Sequence, residues 1–220
     1  MTYKKHKNLL FLIAISCLFS VILQFIRIYV TGTTVFIFLI WNLFLAFIPF
    51  AVSLATENFT NKTSKIKLYG YLAVWLLFFP NAHYIITDFF HFKWREGVPF
   101  WYDLTLLFSF AWNGLILGYV SLIFIHSTLN RFFGTLVAWL MVLFSLFLAA
   151  FGIYLGRYLR LNSWDIFTNP IGILVDILDR FLHPFTHRVT WAFTVLVATF
   201  LIIGYLTLQQ LLKLKMQEEV

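Results

Sequence analysis

Four polar side chains mark one stretch of a mostly apolar chain: Asn81, Tyr84, Asp88 and His91, within FPNAHYIITDFFH at 79–91. Their spacing is three, four and three, which on a helix puts all four on one face. Asp88 and His91 are the catalytic candidates, because carboxylate and imidazole are common proton-transfer groups. The same pair could share a hydrogen bond or begin a metal site. Zinc takes three or four ligands, and nothing in the spacing requires His187, Asp103 or His83 to complete the set. The expected arrangement is therefore an Asp–His pair that orients a loop or bonds arginine, with no metal. Pro80, just ahead, removes a backbone hydrogen bond and predicts a kink.

A second cluster is GRYLRLNSWD at 156–165. Tyr154, Arg157 and Arg160 recur every three residues, which predicts a shared helical face. Two guanidinium groups there can grip a phosphate or carboxylate bidentately. Ion pairs with Asp88, Asp103 or Asp165, or snorkelling to headgroups, are equally good uses for them. Asn162, Ser163 and Asp165 follow. The ligand-binding candidates are Asn81, Tyr84, Asp103, Asn113, Arg157, Arg160, Asn162 and Asp165.

What must position these residues is membrane-spanning helix. The chain has 220 residues, 61% hydrophobic and 11% charged, against about 25% charged in soluble domains. Apolar runs near 20 residues span a bilayer, and six are expected at 9–29, 33–55, 66–87, 104–126, 132–155 and 189–211. Backbone groups in lipid must bond internally, so the spans are helices. The fold class is all-α, a single polytopic integral membrane helix bundle. The first run follows Lys4, Lys5 and Lys7 like a signal peptide. No small-residue cleavage site follows it, and an uncleaved helix is expected. Cys17 is the one cysteine, so no internal disulfide or thiolate cluster can form.

The formal charge of +7 concerns topology here rather than nucleic acid. With both termini inside, eight of nine Lys fall inside and six of seven Arg fall outside, beside six of nine acids. That sorting favours cytoplasmic termini. It also suggests paired or ligand-facing arginines outside. The expected inner loops, near 56–65 and 127–131, are short. The outer segments, 88–103 and 156–188, are long, and loops of this kind commonly carry function. Within the second, a short amphipathic helix is expected near 170–182. Thr168 or Asn169 caps it and Pro170 opens it. Ile171, Leu174, Val175, Leu178 and Phe181 form its apolar stripe, so it should lie on the outer surface or dip partway in.

Asn42 and Asn113 each fall about 14–15 Å below the outer end of their expected spans, at 1.5 Å per residue. Buried Asn there reads first as glue between helices. Gly114 and Gly118, like Gly152 and Gly156, give small-residue pairs that permit close helix contact. The repeated Trp-Asn dipeptide at 41–42 and 112–113 does not by itself make a repeat. No phosphate loop, HExxH or GxSxG occurs.

Five blocks in order, WNLFLAFIPF at 41–50, FPNAHYIITDFFH at 79–91, WYDL at 101–104, SFAWNG at 109–114 and GRYLRLNSWD at 156–165, resemble the DUF1361 family of bacterial membrane proteins. The resemblance implies a multi-pass protein of the bacterial plasma membrane and supplies no reaction or cofactor. His83 departs from the pattern, where Pro is common. Asn81, Asp88, His91, Asp103, Arg157, Arg160 and Asp165 fall inside the blocks.

Three functions are compatible with these residues. The first is an enzyme or binding protein with a pocket at the outer face, for an anionic, lipid-type or lipid-linked ligand. The second is a small transporter or channel subunit, for which a broken helix at Pro80 and buried Asn speak; a homo-oligomer would remedy its size. The third is a structural membrane protein whose polar groups lock loops. Membrane lipids are partners in each.

Overall fold

The computed structural model describes residues 6–60, 62–95, 97–161 and 163–218. Among these, six helices are long and apolar enough to cross a membrane. They are α1 (Lys7–Thr31), α2 (Phe38–Thr56), α3 (Lys65–Tyr84) with the 3₁₀ helix Ile85–His91 that extends it, α4 (Phe100–Phe133), α5 (Thr135–Tyr158) and α7 (Arg188–Glu218). A single turn, Asp165–Thr168, precedes the short helix α6 (Pro170–Leu182). No strand occurs among the described residues. The protein is an all-α polytopic helix bundle.

The chain divides into two compact units, Met1–Ala138 and Trp139–Val220. In the first, α2 packs on α3 and α4, and α1 lies along α4. Leu39, Phe50, Ala82, Ile85, Leu106 and Phe110 are buried where these elements meet. Gly114 and Gly118 on α4 permit the close approach of α3. A Cβ on Gly114 would strike the carbonyl oxygen of Ala82, and one on Gly118 would stand 2.6 Å from Cε1 of His83. In the second unit, Phe151 on α5, Phe181 on α6 and Trp191 on α7 form an aromatic knot with centroids 4.9–5.8 Å apart.

Several boundaries differ from the sequence expectation, each for a local reason. Residues 127–131 are helical, not a loop. Their polarity ends the apolar run, but no breaker occurs before Gly134, whose φ of 80° stops α4. Gly32 ends α1, taking φ 64°, and its N–H closes on Ile28 O at 2.8 Å. The chain then uses residues 33–37 to reverse, so α2 starts at Phe38. Asn42 is therefore about 6 Å from the helix start, while Asn113 is about 20 Å into α4. The two Trp-Asn pairs lie at different distances from the starts of their helices.

Helix α6 begins as its sequence suggests. Pro170 opens it and the Asn169 side chain, rather than Thr168, caps it by accepting from Gly172 N at 3.1 Å.

Candidate functional site

In the first unit the expected polar stripe crosses a change of helix type. The α-helix ends at Tyr84, four residues after Pro80, and the tighter 3₁₀ form carries Asp88 and His91. The four residues consequently do not share one environment. Asn81 and Tyr84 are half-buried, Asp88 is buried and His91 is exposed. Asn81 Nδ2 donates to the Phe78 carbonyl at 3.1 Å. Asp88 Oδ2 accepts from Asn42 Nδ2 at 2.8 Å. The His91 ring lies 5.0 Å from that of Phe38. Asn42, this partner of the Asp88 carboxylate, comes from α2.

Asp103 is the centre of the cluster at this end of the unit. Arg27 Nε donates to Oδ1 at 2.7 Å and Arg27 Nη2 to Oδ2 at 3.2 Å, a bidentate fork with both residues buried. Arg27 Nη1 reaches Thr33 Oγ1 at 3.1 Å. Arg95 adds an ion pair, Nη1 to Oδ2 at 3.5 Å, with a quarter of its side chain exposed. Its Nη2 donates to the His91 carbonyl at 3.1 Å. Both guanidinium carbons stand over the Phe36 ring, at 4.8 Å for Arg27 and 4.7 Å for Arg95. Two cations thus share one carboxylate and one aromatic ring. Lys93, two residues before Arg95, is exposed.

Arg27 is the residue that motif reading missed. Its signal lies in α1, where Ser16, Ser20, Gln24, Arg27 and Thr31 follow at four, four, three and four, a polar stripe along an apolar helix. That stripe faces α4. Asn113 Nδ2 donates to Ser16 O at 3.0 Å and to Ser20 Oγ at 2.8 Å, and Tyr102 OH donates to Leu23 O at 2.8 Å. Gln24, between these levels, is wholly buried with neither amide atom hydrogen-bonded. At the opposite end of the unit, Arg131 Nη1 donates to the Glu57 carbonyl at 2.9 Å and His6 Nε2 meets Glu57 Oε1 at 2.8 Å.

In the second unit, α5 ends at Tyr158, so Arg157 and Arg160 do not continue one helical face. Arg157 lies in the last turn, half-buried. Arg160 lies beyond it, exposed, with φ 59°. It is the one residue other than glycine with positive φ among those described. There the chain folds back, and Leu161 N reaches Leu155 O at 3.3 Å. Tyr154 stacks on Tyr158 at 4.9 Å. Asp165 is half-buried and opens the single turn, its carbonyl accepting from Asn169 N at 2.7 Å. Asn162 lies outside the described residues.

The remaining histidines have other neighbours. His187 Nε2 meets Asp179 Oδ2 at 2.7 Å and His183 Nδ1 meets Oδ1 at 2.9 Å. These two contacts, His187 first, hold the Asp179 carboxyl below its ordinary value. His83 is buried edge-on to Phe79 and Tyr119. Among the described residues, no three His, Cys, Asp or Glu side chains group closely enough to hold a metal.

A helix bundle with six candidate spans and buried charge at the helix ends defines a multi-pass membrane protein. The model of the family described as "Protein of unknown function (DUF1361)" matches residues 41–203, and the chain belongs to that family. The match runs past Asp165 through α6 and into α7. Comparison with curated proteins and with solved structures found no match.

Proposed function

We propose that this protein binds an anionic, lipid-type or lipid-linked ligand at Arg95, which pairs with Asp103 and bonds the carbonyls of Lys93 and His91. One observation carries the reading. Arg27 and Arg95 share a single carboxylate, and the more exposed of the two keeps a quarter of its side chain in the open. Two guanidinium groups against the one Asp103 carboxylate leave an excess of positive charge, and the partly exposed Arg95 is where another anion can meet it. His91 is the acid–base group such a ligand can reach. Asp88, buried on Asn42, would orient rather than exchange protons with bulk water. Asn81, Tyr84 and Asn113 line or brace the same unit. In the second unit, Arg157 and Arg160 with Asp165 are a separate candidate grip on an anionic group. The lysine distribution supports cytoplasmic termini in a bacterial plasma membrane.

A second reading is structural. Arg27, Asp103, Asn42 and Asn113 each bond another helix or turn of the unit, and such groups lock a bundle without any ligand.

Native mass spectrometry separates the two. Wild type and Arg95→Gln are released from micelles carrying phosphatidylglycerol or phosphatidylcholine, with metal content measured in parallel. The ligand reading expects phosphatidylglycerol adducts on wild type that Arg95→Gln loses. Equal adducts on both, or none on either, leave the structural reading standing.

A further inference from the structure

Helix α6 buries Arg180 and leaves its two carboxylates, Asp176 and Asp179, about half-exposed, while its apolar face points outward. Ile171, Leu174, Val175 and Leu178 are 76%, 56%, 59% and 47% exposed, and Leu182 is 71% exposed. Arg180, from the same helix, is 6% exposed. Its Nη1 donates to the Asp176 carbonyl and meets the Asp176 carboxylate at 3.4 Å. A surface helix of a soluble protein shows the reverse, an apolar stripe on the core and charge in water.

The orientation is fixed by contacts along the other side. Trp191 Nε1 on α7 donates to the Arg180 carbonyl at 3.2 Å. His187 reaches back to Asp179 at 2.7 Å. The half-exposed Phe181 ring, expected in the apolar stripe, lies at its edge and stands edge-on to Trp191 at 4.9 Å. A roll of α6 that buried the leucines would break all three.

We propose that the outward stripe of α6 is sunk in the acyl chains of a lipid leaflet, with the helix axis in the plane of the interface. Three features select lipid over a second copy of the chain. The helix has 13 residues, about 20 Å, too short to span a bilayer. It is tethered to the ends of two candidate spans, to α5 through residues 159–169 and to α7 through 183–187. It is therefore held at the level where spans leave hydrocarbon. Exposed Arg160 sits in the first tether and exposed Arg188 opens α7 where the second ends, a charge arrangement that suits anionic headgroups beside a buried apolar face. This inference does not depend on the anion site of the first unit.

The test uses the full chain in liposomes. Single nitroxide labels are placed at Leu174→Cys, Leu178→Cys and Thr186→Cys in a Cys17→Ser background, and power saturation is read with oxygen and with a water-soluble nickel chelate. All three label positions are exposed, and circular dichroism confirms the helix content of each variant. The expected result is that oxygen relaxes the labels at 174 and 178 several-fold more than nickel does, and that the preference reverses at 186. Nickel access at 174 and 178 equal to that at 186 would overturn the proposal. So would exclusion of both reagents with dipolar broadening between labels, the sign of a second copy on this face.

Discussion

The Nε of Arg27 stands 2.7 Å from Oδ1 of Asp103, joining two side chains 76 residues apart that are almost closed to solvent. Removing Asp103 strands the buried Arg27 guanidinium, and removing Arg27 leaves the carboxylate with the longer 3.5 Å contact to Arg95. Arg27→Leu or Asp103→Leu alone should cost about 3–5 kcal/mol, while the double replacement should cost much less. Unfolding in mixed micelles, read for the two single variants and the double, checks this. Additive losses would show that the pair is not coupled.

Gln24 gives the opposite sign. Its amide is buried and unbonded, and an unmet polar pair costs about 1–3 kcal/mol. Gln24→Leu should therefore stabilise the protein by about 1 kcal/mol or more. A clear loss of stability in the same micelle assay would mean that the amide has a partner in solution.

Gly114 touches the Ala82 carbonyl too closely for any side chain. Gly114→Val should cost about 1–3 kcal/mol or more through overpacking, whereas Gly70→Val, at an open position, should be mild. Melting temperatures of the two variants decide it. An equal effect would contradict the α3–α4 approach.

Arg160 occupies a left-handed conformation at φ 59°, which costs an L residue about 1–2 kcal/mol. Arg160→Gly should relieve that strain and raise stability by about 1 kcal/mol. If the guanidinium serves a ligand, the same change lowers anionic-lipid retention. A more stable variant that binds less would separate backbone strain from side-chain use.

The Asp179 carboxyl is held low by His187 and then His183. A depressed folded pKa contributes stability above the unfolded carboxylate value, about 3.9, and loses it as pH falls through the folded value. The difference between wild type and Asp179→Asn should persist from neutrality down to about pH 4 and fade below it. A difference that vanishes by pH 6 would place the titration elsewhere.

Much of the bundle was legible because a span is written in composition. Long runs without charge can only be helices in lipid, and the start of α6 was marked by Asn169 and Pro170 at its cap. Boundaries were harder where polarity and helix breaking part company, as at 127–133, where polar residues stay helical until Gly134. The cluster was half legible. Asp88, His91 and Asp103 stood out as rare charged or titratable groups. Asn42 stood out as interhelical glue, but its pairing with Asp88 did not, nor did Arg27, because a contact across helices depends on where each helix begins and how it is rotated. The polar stripe of α1 was present at helical spacing, but it gains meaning only when Asn113 and Asp103 on α4 face it. Arg160 looked like a continuation of the Arg157 face because φ cannot be read from an Arg codon or its neighbours.

The central claim is that the charge of Arg95 beside Asp103 is available to an anionic lipid-type ligand. Its most direct measurement is the rise in melting temperature as phosphatidylglycerol replaces phosphatidylcholine in the micelle, for wild type and Arg95→Gln, since a ligand that binds the folded state stabilises it in proportion to log concentration. The account predicts a concentration-dependent rise for wild type that Arg95→Gln largely loses, with equal melting in phosphatidylcholine alone. Matching rises in the two proteins would contradict it.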